Sequence, residues 1–429
     1  MSVRRVVVIA VLGLLALAVP LSASAAPPAP SEPVSAYRVQ GLNDSAARTA
    51  VLHQGVDVLG GGRDYLEIRA TSAQADRLRA GGLALLPLPA LPAVPGLVAP
   101  GQFPIGYHGY HTYDKLTAEL DAIAAARPDQ IAVSGYGRSA EGRPLPLVKI
   151  SDAVRADQNE PEVLFSCAQH AREHLTVEMC LHIVRRLAQG YGTDPAITEL
   201  VRSREIWVVP TANPDGTEYD ISSGLFALWR KNRQPTQENT EIGTDPNRNW
   251  GTEWACCGGS SANPGSDTYH GSAPFSAPET AQLRDWVNSR VIGGVQQITA
   301  HIDFHSYSEL VLWPYGFTTD DTGPGLNASD AATFRRLGEA MAATNGYTAQ
   351  QSSDLYITDG TVGDWMWAQH GIWSYTFEMY PTSQVQGGFY PPETEIKREV
   401  ERNDAAVDLL LGYADCVRRI TGDPCGPQQ

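Results

Sequence analysis

The 429-residue sequence predicts an α/β fold, in which a mixed, largely parallel sheet is sandwiched by helices and preceded by a small α+β segment. Between about residues 107 and 420, short apolar runs typical of strands alternate with helical patterns, and a proline-rich stretch separates this region from a shorter alternating module. Apolar residues make up 42% of the chain, which allows a sizeable core. The strand-like runs are 145–150, 162–166, 205–210, 297–304 and 372–377.

The first 25 residues have the pattern of a signal peptide. Arg4 and Arg5 precede an apolar run, 6–19, and Ala23-Ser24-Ala25 offers a cleavage site of small residues. A membrane anchor is the alternative, but the run lacks a basic flank on its far side and leads into a proline-rich stretch. We therefore expect a secreted protein, with no membrane segment after cleavage.

Residues 26–86 make up the predicted small α+β segment. Its strand-like and helix-like stretches follow in the order 37–40, 46–54, 65–69 and 71–79, and Thr71 is a candidate N-cap. A core this small is expected to lean on another surface. A proline-rich linker at 87–104, a main domain at 105–420 and a tail at 421–429 complete the predicted organisation. The pattern of 393–419 predicts one long amphipathic helix that closes the main domain.

The charge balance argues against one class of partner. The chain has 32 basic and 48 acidic residues, a formal net charge of -16. A nucleic-acid partner would require a basic face, so we expect none.

The segment from His170 to His174, with the sequence HAREH, carries a local chemical signal. His170 and Glu173, three positions apart at a helix start, can reach one point in space, and histidine plus carboxylate with one open position is typical of catalytic zinc. The same letters fit a second metallopeptidase pattern, in which both histidines bind zinc and the glutamate is the base. A surface turn of mixed charge is the third interpretation. The pentapeptide alone leaves these alternatives open.

Further motifs follow in order along the chain. They are GRSAEGRP (137–144), HARE (170–173), NPDG (213–216), LWRK (228–231), DPNRNW (245–250), HSYS (305–308), WPYG (313–316) and YTFE (375–378). In this order they resemble the zinc carboxypeptidases of the pancreatic carboxypeptidase A type, over about residues 107–420. The resemblance implies a carboxypeptidase A-like fold with an eight-stranded sheet, and a hydrolase that acts on peptide or protein C-termini.

By that resemblance the chain binds one Zn²⁺, through His170, Glu173 and His305, with water in the fourth position. His174 is then not a ligand. Asp245 matches the carboxylate that holds a zinc histidine by its other ring nitrogen, a contact that fixes the tautomer and raises the basicity of the ligand.

Two residues match the catalytic groups of the family. Glu378 corresponds to the general base that takes a proton from the zinc-bound water, and its place at the end of an apolar run predicts a raised pKa. Arg230 corresponds to the cation that stabilises the carbonyl oxygen as negative charge develops on it.

Four residues match substrate-binding positions of the family. Asn247 and Arg248 correspond to the pair that grips the terminal carboxylate, a task that suits the planar guanidinium fork. Tyr356 aligns with the mobile tyrosine that closes over substrate, and Arg172 with a cation beside the metal. Because only an exopeptidase needs such a clamp, the resemblance favours single-residue release over the second metallopeptidase pattern.

The specificity position is Gly363, where A-type enzymes have an aliphatic residue and B-type enzymes an aspartate. The other aligned lining residues are neutral: Leu312, Gly316, Thr358 and Thr361. We therefore expect a preference for apolar or aromatic C-terminal residues. Asp359 and Asp364 lie nearby in sequence, so acceptance of Lys or Arg stays open.

The 26–86 segment stands where the family has its pro-segments. Our hypothesis is that it covers the cleft, blocks substrate until an activating protease cuts the linker, and assists folding. A detachable binding or solubility module is the alternative. We expect the enzyme to be a monomer.

Cysteines and one proline depart from the family pattern. In an exported chain Cys416 and Cys425 are expected to pair across a short loop, whereas sequence leaves open the pairing of Cys167, Cys180, Cys256 and Cys257. The family's disulfide near the carboxylate clamp lacks its cysteines, and Cys256-Cys257 lies in that region. Tyr380-Pro381 falls where relatives have a non-proline cis bond, so we expect it to be cis.

Two other functions remain as alternatives. A non-catalytic carboxypeptidase-like binding protein is disfavoured because the ligands, the base and both arginines are present. A zinc amidase that trims cell-wall peptides on the same fold also remains, since wall peptides have free C-termini.

Overall fold

The computed structural model describes residues 33–89, 99–236, 241–423 and 425. The expected signal peptide, 1–25, and half of the linker, 90–98, lie outside these residues. None of the helices in the described residues has the length and apolar composition of a membrane span.

The N-terminal module, residues 34–87, is a four-stranded antiparallel sheet with two helices. Its elements are β1 (Val34–Gln40), α1 (Ser45–Leu52), β2 (Asp57–Gly61), β3 (Tyr65–Thr71), α2 (Ser72–Ala80) and β4 (Ala84–Pro87), with strand order β2-β3-β1-β4. The expected N-cap is present, because the Thr71 side chain accepts from Gln74 N and the Gln74 side chain accepts from Thr71 N.

The main region contains ten further strands and ten further helices among the described residues. The strands are β5 (Ile131–Arg138), β6 (Pro144–Ile150), β7 (Glu162–Cys167), β8 (Glu205–Val209), β9 (Val291–Ile292), β10 (Val295–Gln296), β11 (Ile298–Ser306), β12 (Leu310–Trp313), β13 (Thr348–Gln351) and β14 (Trp373–Met379). The helices are α3 (Tyr113–Ala126), α4 (His174–Gly190), α5 (Pro195–Arg202), α6 (Pro214–Asp220), α7 (Pro278–Ser289), α8 (Ala328–Asn345), α9 (Ser352–Leu355), α10 (Val362–His370), α11 (Ile396–Glu401) and α12 (Asp404–Tyr413).

Eight of these strands form one sheet, in the order β13-β12-β14-β11-β7-β8-β6-β5. The pairs β5–β6, β6–β8 and β12–β14 are antiparallel, and the other neighbours are parallel. The predicted mixed, largely parallel sheet is therefore confirmed.

Helices cover both faces of this sheet, so its central strands are buried on both sides. Val163 and Phe165 of β7 pack in a core that also receives α3, α4, α8 and α12. Leu164, the residue between them, packs in a second core with residues of α7 and α10. This alternation is the two-residue period expected of a strand between two helical layers.

The predicted closing helix is wrong, because 393–419 is divided among α11, α12 and short 3₁₀ turns. The break falls at Asn403, which is fully buried. Its side chain accepts from Asn345 Nδ2 at 2.9 Å and donates to Tyr347 Oη at 3.3 Å. A buried amide that requires these partners fixes the chain locally at the expense of a continuous helix.

The structure also places the cysteines and the proline. Cys416 pairs with Cys425 as expected, and the pairings left open are Cys167–Cys180 and Cys256–Cys257. The Tyr380–Pro381 peptide bond is cis, as the sequence predicts.

The N-terminal module packs on the main region, as its small core led us to expect. Leu66 and Ile68 of β3 share an apolar cluster with Leu310, Leu312 and Leu355. The module also contributes Glu67, which is fully buried and accepts hydrogen bonds from Tyr307 Oη, Ser383 Oγ and Gln384 N, each at 2.8 Å. Each of these donors lies in the main region.

Candidate metal centre and substrate pocket

Three metal-ligating side chains converge at the carboxyl ends of β7 and β11. His170 and Glu173 lie in the turn between β7 and α4, and His305 is the penultimate residue of β11. His170 Nδ1 lies 2.9 Å from Glu173 Oε1, His305 Nδ1 lies 2.9 Å from Glu173 Oε2, and the two Nδ1 atoms are 3.0 Å apart. All three residues are buried. β7 and β11 are parallel neighbours. Their pairing brings Glu173 and His305, which are 132 residues apart in the sequence, into contact.

The far ring nitrogens of both histidines face carboxylates. His170 Nε2 lies 3.0 Å from Asp245 Oδ1, and His305 Nε2 lies 2.6 Å from Asp303 Oδ2. In the tautomer with the proton on Nε2, each carboxylate accepts a hydrogen bond from Nε2–H and the Nδ1 lone pair is directed at the shared point. The Asp245 contact is the one the resemblance implied.

Asp303 was missed by the sequence reasoning. A signal existed, because residues two apart on a strand share a face and Asp303 precedes His305 by two on β11. Asp303 also accepts hydrogen bonds from Ser166 Oγ and Gln169 Nε2, so it is held from both sides.

The donor set fits zinc. Two neutral imidazole nitrogens and one carboxylate are the ligands of a catalytic zinc with an open position. Two lone pairs that face each other at 3.0 Å repel unless a cation lies between them, and both far nitrogens are held in the tautomer that metal binding requires. Within the described residues, His170, Glu173 and His305 form a buried cluster of this kind.

His174 does not join the cluster. Its Nε2 lies 3.0 Å from Asp220 Oδ2, and its ring packs edge-on against Phe103. The second metallopeptidase pattern, which needs His174 at the metal, therefore does not agree with the structure.

Glu378 lies beside the metal ligands on the neighbouring strand. It pairs with His305 in the parallel register of β11 and β14 and lines the same cavity. Burial raises the pKa of its carboxyl to about 8, and the nearby Glu173 carboxylate adds to this shift. A bound cation would oppose the shift, so the group is poised to exchange a proton near neutral pH.

Two arginines line this cavity with different partners. Arg230 Nε and Nη2 each lie 2.9 Å from Asp245 Oδ2, so one carboxylate holds both a metal histidine and this arginine. Arg248 instead donates to two backbone carbonyls, from Nε to Gly259 O at 3.1 Å and from Nη1 to Asn247 O at 2.7 Å. Among the described residues, no acidic side chain forms an ion pair with Arg248, so its charge is available to a ligand.

Beyond the clamp, the cavity is lined mainly by neutral side chains, together with the carboxyl group of Asp364. The neutral residues include Leu312, Pro314, Thr358, Thr361, Gly363 and Thr376, with Tyr356 at the same cavity. Gly316, an expected lining residue, is not among them; it donates its N–H to both oxygens of Asp364 at 3.0 and 3.1 Å. Burial raises the pKa of Asp364 to about 7. The Asp364 carboxyl group is hydrogen-bonded by the backbone N–H of Gly316. Asp359 likewise accepts hydrogen bonds from backbone N–H groups.

Strand β2 of the N-terminal module lies across the mouth of the cavity. Its Val58, Leu59 and Gly60 line the same space as the metal ligands. Gly61 N donates to Ser308 Oγ at 2.9 Å, and a Cβ at Gly60 would lie 2.8 Å from Tyr307 Cε2 and Ser308 Oγ. Glycine is therefore required for so close an approach to the main region.

Arg172 faces this strand. Its guanidinium donates to both Asp57 oxygens, from Nη1 at 2.9 Å and from Nη2 at 3.1 Å, and stacks on the Phe389 ring. Asp267 lies 3.6 Å from Arg172, and burial together with Asp57 raises the pKa of Asp267 to about 6. Arg172, which we expected to help bind substrate, is therefore paired with Asp57 of the N-terminal module.

Fold and donor set together define an α/β metallohydrolase, and comparison with known proteins gives its family. A model of the zinc carboxypeptidase family matches residues 116–406. The zinc carboxypeptidase of Saccharothrix mutabilis subsp. capreolus is 49% identical over 433 residues, covering 98% of this chain and 99% of that protein. Carboxypeptidase B of Homo sapiens is 31% identical over 309 residues, covering 72% of this chain and 71% of that protein.

Solved structures agree on the fold. Carboxypeptidase A from Helicoverpa armigera aligns with a TM-score of 0.74 at 22% identity, over 91% of this chain and 98% of that one. The chain belongs to the zinc carboxypeptidase family. It is a zinc-dependent hydrolase of a family that acts on peptide C-termini.

Proposed function

We propose that this protein is a secreted zinc exopeptidase that releases single C-terminal residues, with a preference for apolar or aromatic ones, and that it is made in a latent form. The observation that carries the proposal is the shared cavity. The donors His170, Glu173 and His305 and the buried Glu378 line it, as does Arg248, which forms no ion pair with the acidic side chains that the structure describes. A metal, a base and a carboxylate-binding cation in one cleft are what hydrolysis at a free C-terminus requires.

The metal ligands would be His170, Glu173 and His305, with Asp245 and Asp303 holding the histidines from behind. Zinc, when bound, lowers the pKa of a water and polarises the scissile carbonyl. Glu378 accepts the proton of the attacking water and delivers it to the departing amine, as its raised pKa allows.

Two arginines stabilise the negative charges of the substrate. Arg230 stabilises the carbonyl oxygen as it becomes negative, while its bond to Asp245 keeps the guanidinium in place. Arg248, with Asn247 beside it, binds the terminal carboxylate in a fork. Tyr356 closes over the bound residue.

The preference for apolar and aromatic residues is supported by the cavity lining beyond the clamp, where the carboxyl group of Asp364 already accepts hydrogen bonds from Gly316 N on both oxygens. Gly363 leaves the floor open, and Asp364 is occupied by Gly316 N–H. A Lys or Arg side chain would lose its hydration and would meet only a carboxyl group whose oxygens are already hydrogen-bonded.

Latency is supported by the position of the N-terminal module as a pro-segment. β2 fills the cleft mouth, and Asp57 takes the guanidinium of Arg172 that substrate would otherwise meet. An activating protease would cut in the proline-rich linker, 87–104, and the released enzyme is expected to act as a monomer.

A peptide panel tests the proposal. Matched peptides ending in Phe, Leu, Lys and Arg, and one ending in Phe-amide, are incubated with the protein before and after linker cleavage. We expect release of Phe and Leu only after cleavage, with slower release of Lys and Arg and none of Phe-amide. Faster turnover of the basic pair contradicts the specificity. Equal activity before and after cleavage contradicts latency.

A further inference from the structure

The loop that follows the carboxylate clamp carries an uncommon feature, a disulfide between the adjacent residues Cys256 and Cys257. The loop begins a few residues after Arg248, and Cys256 is exposed. Neither sulfur lies among the residues that line the substrate cavity. The loop nevertheless contacts a residue of the cavity, because a backbone carbonyl of the loop accepts a hydrogen bond from Arg248.

Within the part of the chain that the structure describes, the loop accepts one hydrogen bond from Arg248, at a backbone carbonyl. Gly259 O accepts from Arg248 Nε at 3.1 Å, and the other described partner of that guanidinium is its neighbour's carbonyl, Asn247 O. With no acidic side chain among the described residues to hold it, the guanidinium plane depends on these two oxygens. Asn247 is adjacent to Arg248 in the chain and moves together with it. Gly259 O is therefore the partner that fixes the guanidinium relative to the rest of the protein.

One buried carboxylate fixes Gly259. Asp359 is fully buried, and its Oδ2 accepts from Gly259 N at 3.0 Å and from Cys257 N at 3.2 Å. The two segments also pack without space between them, because a Cβ at Gly259 would lie 2.4 Å from Thr358 Cα. Charged acceptors make the stronger hydrogen bonds, so Asp359 is a firm anchor for the turn 257–259.

Residues 359–362 form further hydrogen bonds to the segment that carries the clamp. Gly360 O accepts from Trp250 N at 3.0 Å, and Val362 N donates to Asn247 Oδ1 at 2.9 Å. Loss of the Asp359 anchor would therefore leave the 359–362 segment attached. What changes is the turn that carries Gly259 O.

We propose that Asp359 and the Cys256–Cys257 disulfide are positioning elements for Arg248. The disulfide restricts the backbone of the turn, Asp359 binds the turn by two N–H groups, and Gly259 O sets the guanidinium in the orientation that receives the substrate's terminal carboxylate. This inference rests on the proposed exopeptidase activity and adds residues that do not themselves touch substrate.

The test separates KM from kcat. Linker-cleaved wild type, Asp359→Ala, Asp359→Asn and Cys256→Ser/Cys257→Ser are compared on a blocked dipeptide with a free C-terminal Phe. We expect Asp359→Ala to raise KM about tenfold, the effect of one lost hydrogen bond to the clamp, with kcat within about twofold of wild type. Asp359→Asn, which keeps one acceptor, should lie between. The double serine variant should raise KM in the same direction.

Controls distinguish positioning from general destabilisation. Asp330→Ala removes another buried aspartate, which is paired with Arg418, and Cys416→Ser/Cys425→Ser removes a disulfide away from the cleft. Both should leave KM unchanged, and zinc content should stay at one per chain throughout. If Asp359→Ala does not fold, the asparagine and serine variants carry the test.

An unchanged KM in the Asp359 and serine variants overturns the inference. The inference is also overturned if these variants change only kcat and the controls, at a similar loss of thermal stability, show the same fall in kcat. A wild type that releases no C-terminal residue instead overturns the proposed function, so the two failures are distinguishable.

Discussion

Asp57 is the residue on which the proposed latency depends most directly, and Asp57→Asn is the perturbation that tests it. The carboxylate accepts two hydrogen bonds from Arg172, at 2.9 and 3.1 Å, and Arg172 is fully buried. Removing one partner of a buried pair costs about 3–5 kcal/mol. Asp267, 3.6 Å from Arg172, would recover part of this.

We therefore expect docking of the N-terminal module to weaken by about 2–4 kcal/mol, which is about 30- to 900-fold in the closed-to-open ratio. The assay is hydrolysis of a blocked dipeptide by the uncleaved protein, expressed as a fraction of its activity after linker cleavage. Asp57→Asn should raise this fraction strongly, and Asp57→Asn/Asp267→Asn should raise it further.

A surface variant provides the control. Asp76→Asn removes a carboxylate of the same module that is exposed and lies 3.1 Å from Arg79, and it should leave latency unchanged. If uncleaved Asp57→Asn stays within twofold of wild type while cleavage activates both, the contact does not hold the module in place and the reasoning is refuted.

Three further predictions concern pH, metal and specificity. The pKa of Asp267 is raised to about 6 in the closed state and should return to about 3.9 when the group is exposed, so closure binds a proton between these values and weakens as pH rises to 6. The linker-cleaved complex should therefore be about tenfold more inhibited at pH 5 than at pH 7.5, relative to module-free enzyme at each pH, and Asp267→Asn should flatten the profile. His174→Gln should keep one zinc per chain and His305→Gln should lose it, as metal analysis after dialysis would show; zinc loss in the first variant would favour the second metallopeptidase pattern. Gly363→Asp, where a Cβ meets nothing closer than 3.7 Å, should shift kcat/KM toward C-terminal Lys and Arg by at least about tenfold, and an unchanged preference would move the specificity position elsewhere.

Sequence periodicity predicted five of the six inner strands of the main sheet, and it missed the four-residue inner strand β12 and both edge strands. The five apolar runs correspond to β6, β7, β8, β11 and β14, each within about two residues at either end. β13 has the sequence TAQQ and β5 contains two glycines, so neither has the apolar pattern of a buried strand. Edge strands face solvent on one side, and their pairing depends on the neighbouring strand rather than on their own side chains.

The candidate site divides in the same way. Motif resemblance was sufficient to assemble the donors and to exclude His174. Contacts made across long sequence distances were not accessible, namely Asp57 with Arg172 and Asp359 with Gly259. Such contacts depend on how separate loops and modules pack, and the spacing of residues within a short motif does not predict that packing.

The measurement that tests the account most directly is the pattern of products formed from one peptide. The linker-cleaved protein is incubated with a peptide ending in several apolar residues, with and without a chelator, beside Glu378→Gln, and the products are followed by mass spectrometry. We predict stepwise loss of single C-terminal residues, abolished by the chelator, restored by one equivalent of zinc, and at least about 100-fold slower in the Glu378→Gln variant, which should still bind zinc. Internal cleavage, or a Glu378→Gln variant as fast as wild type, would contradict the central claim.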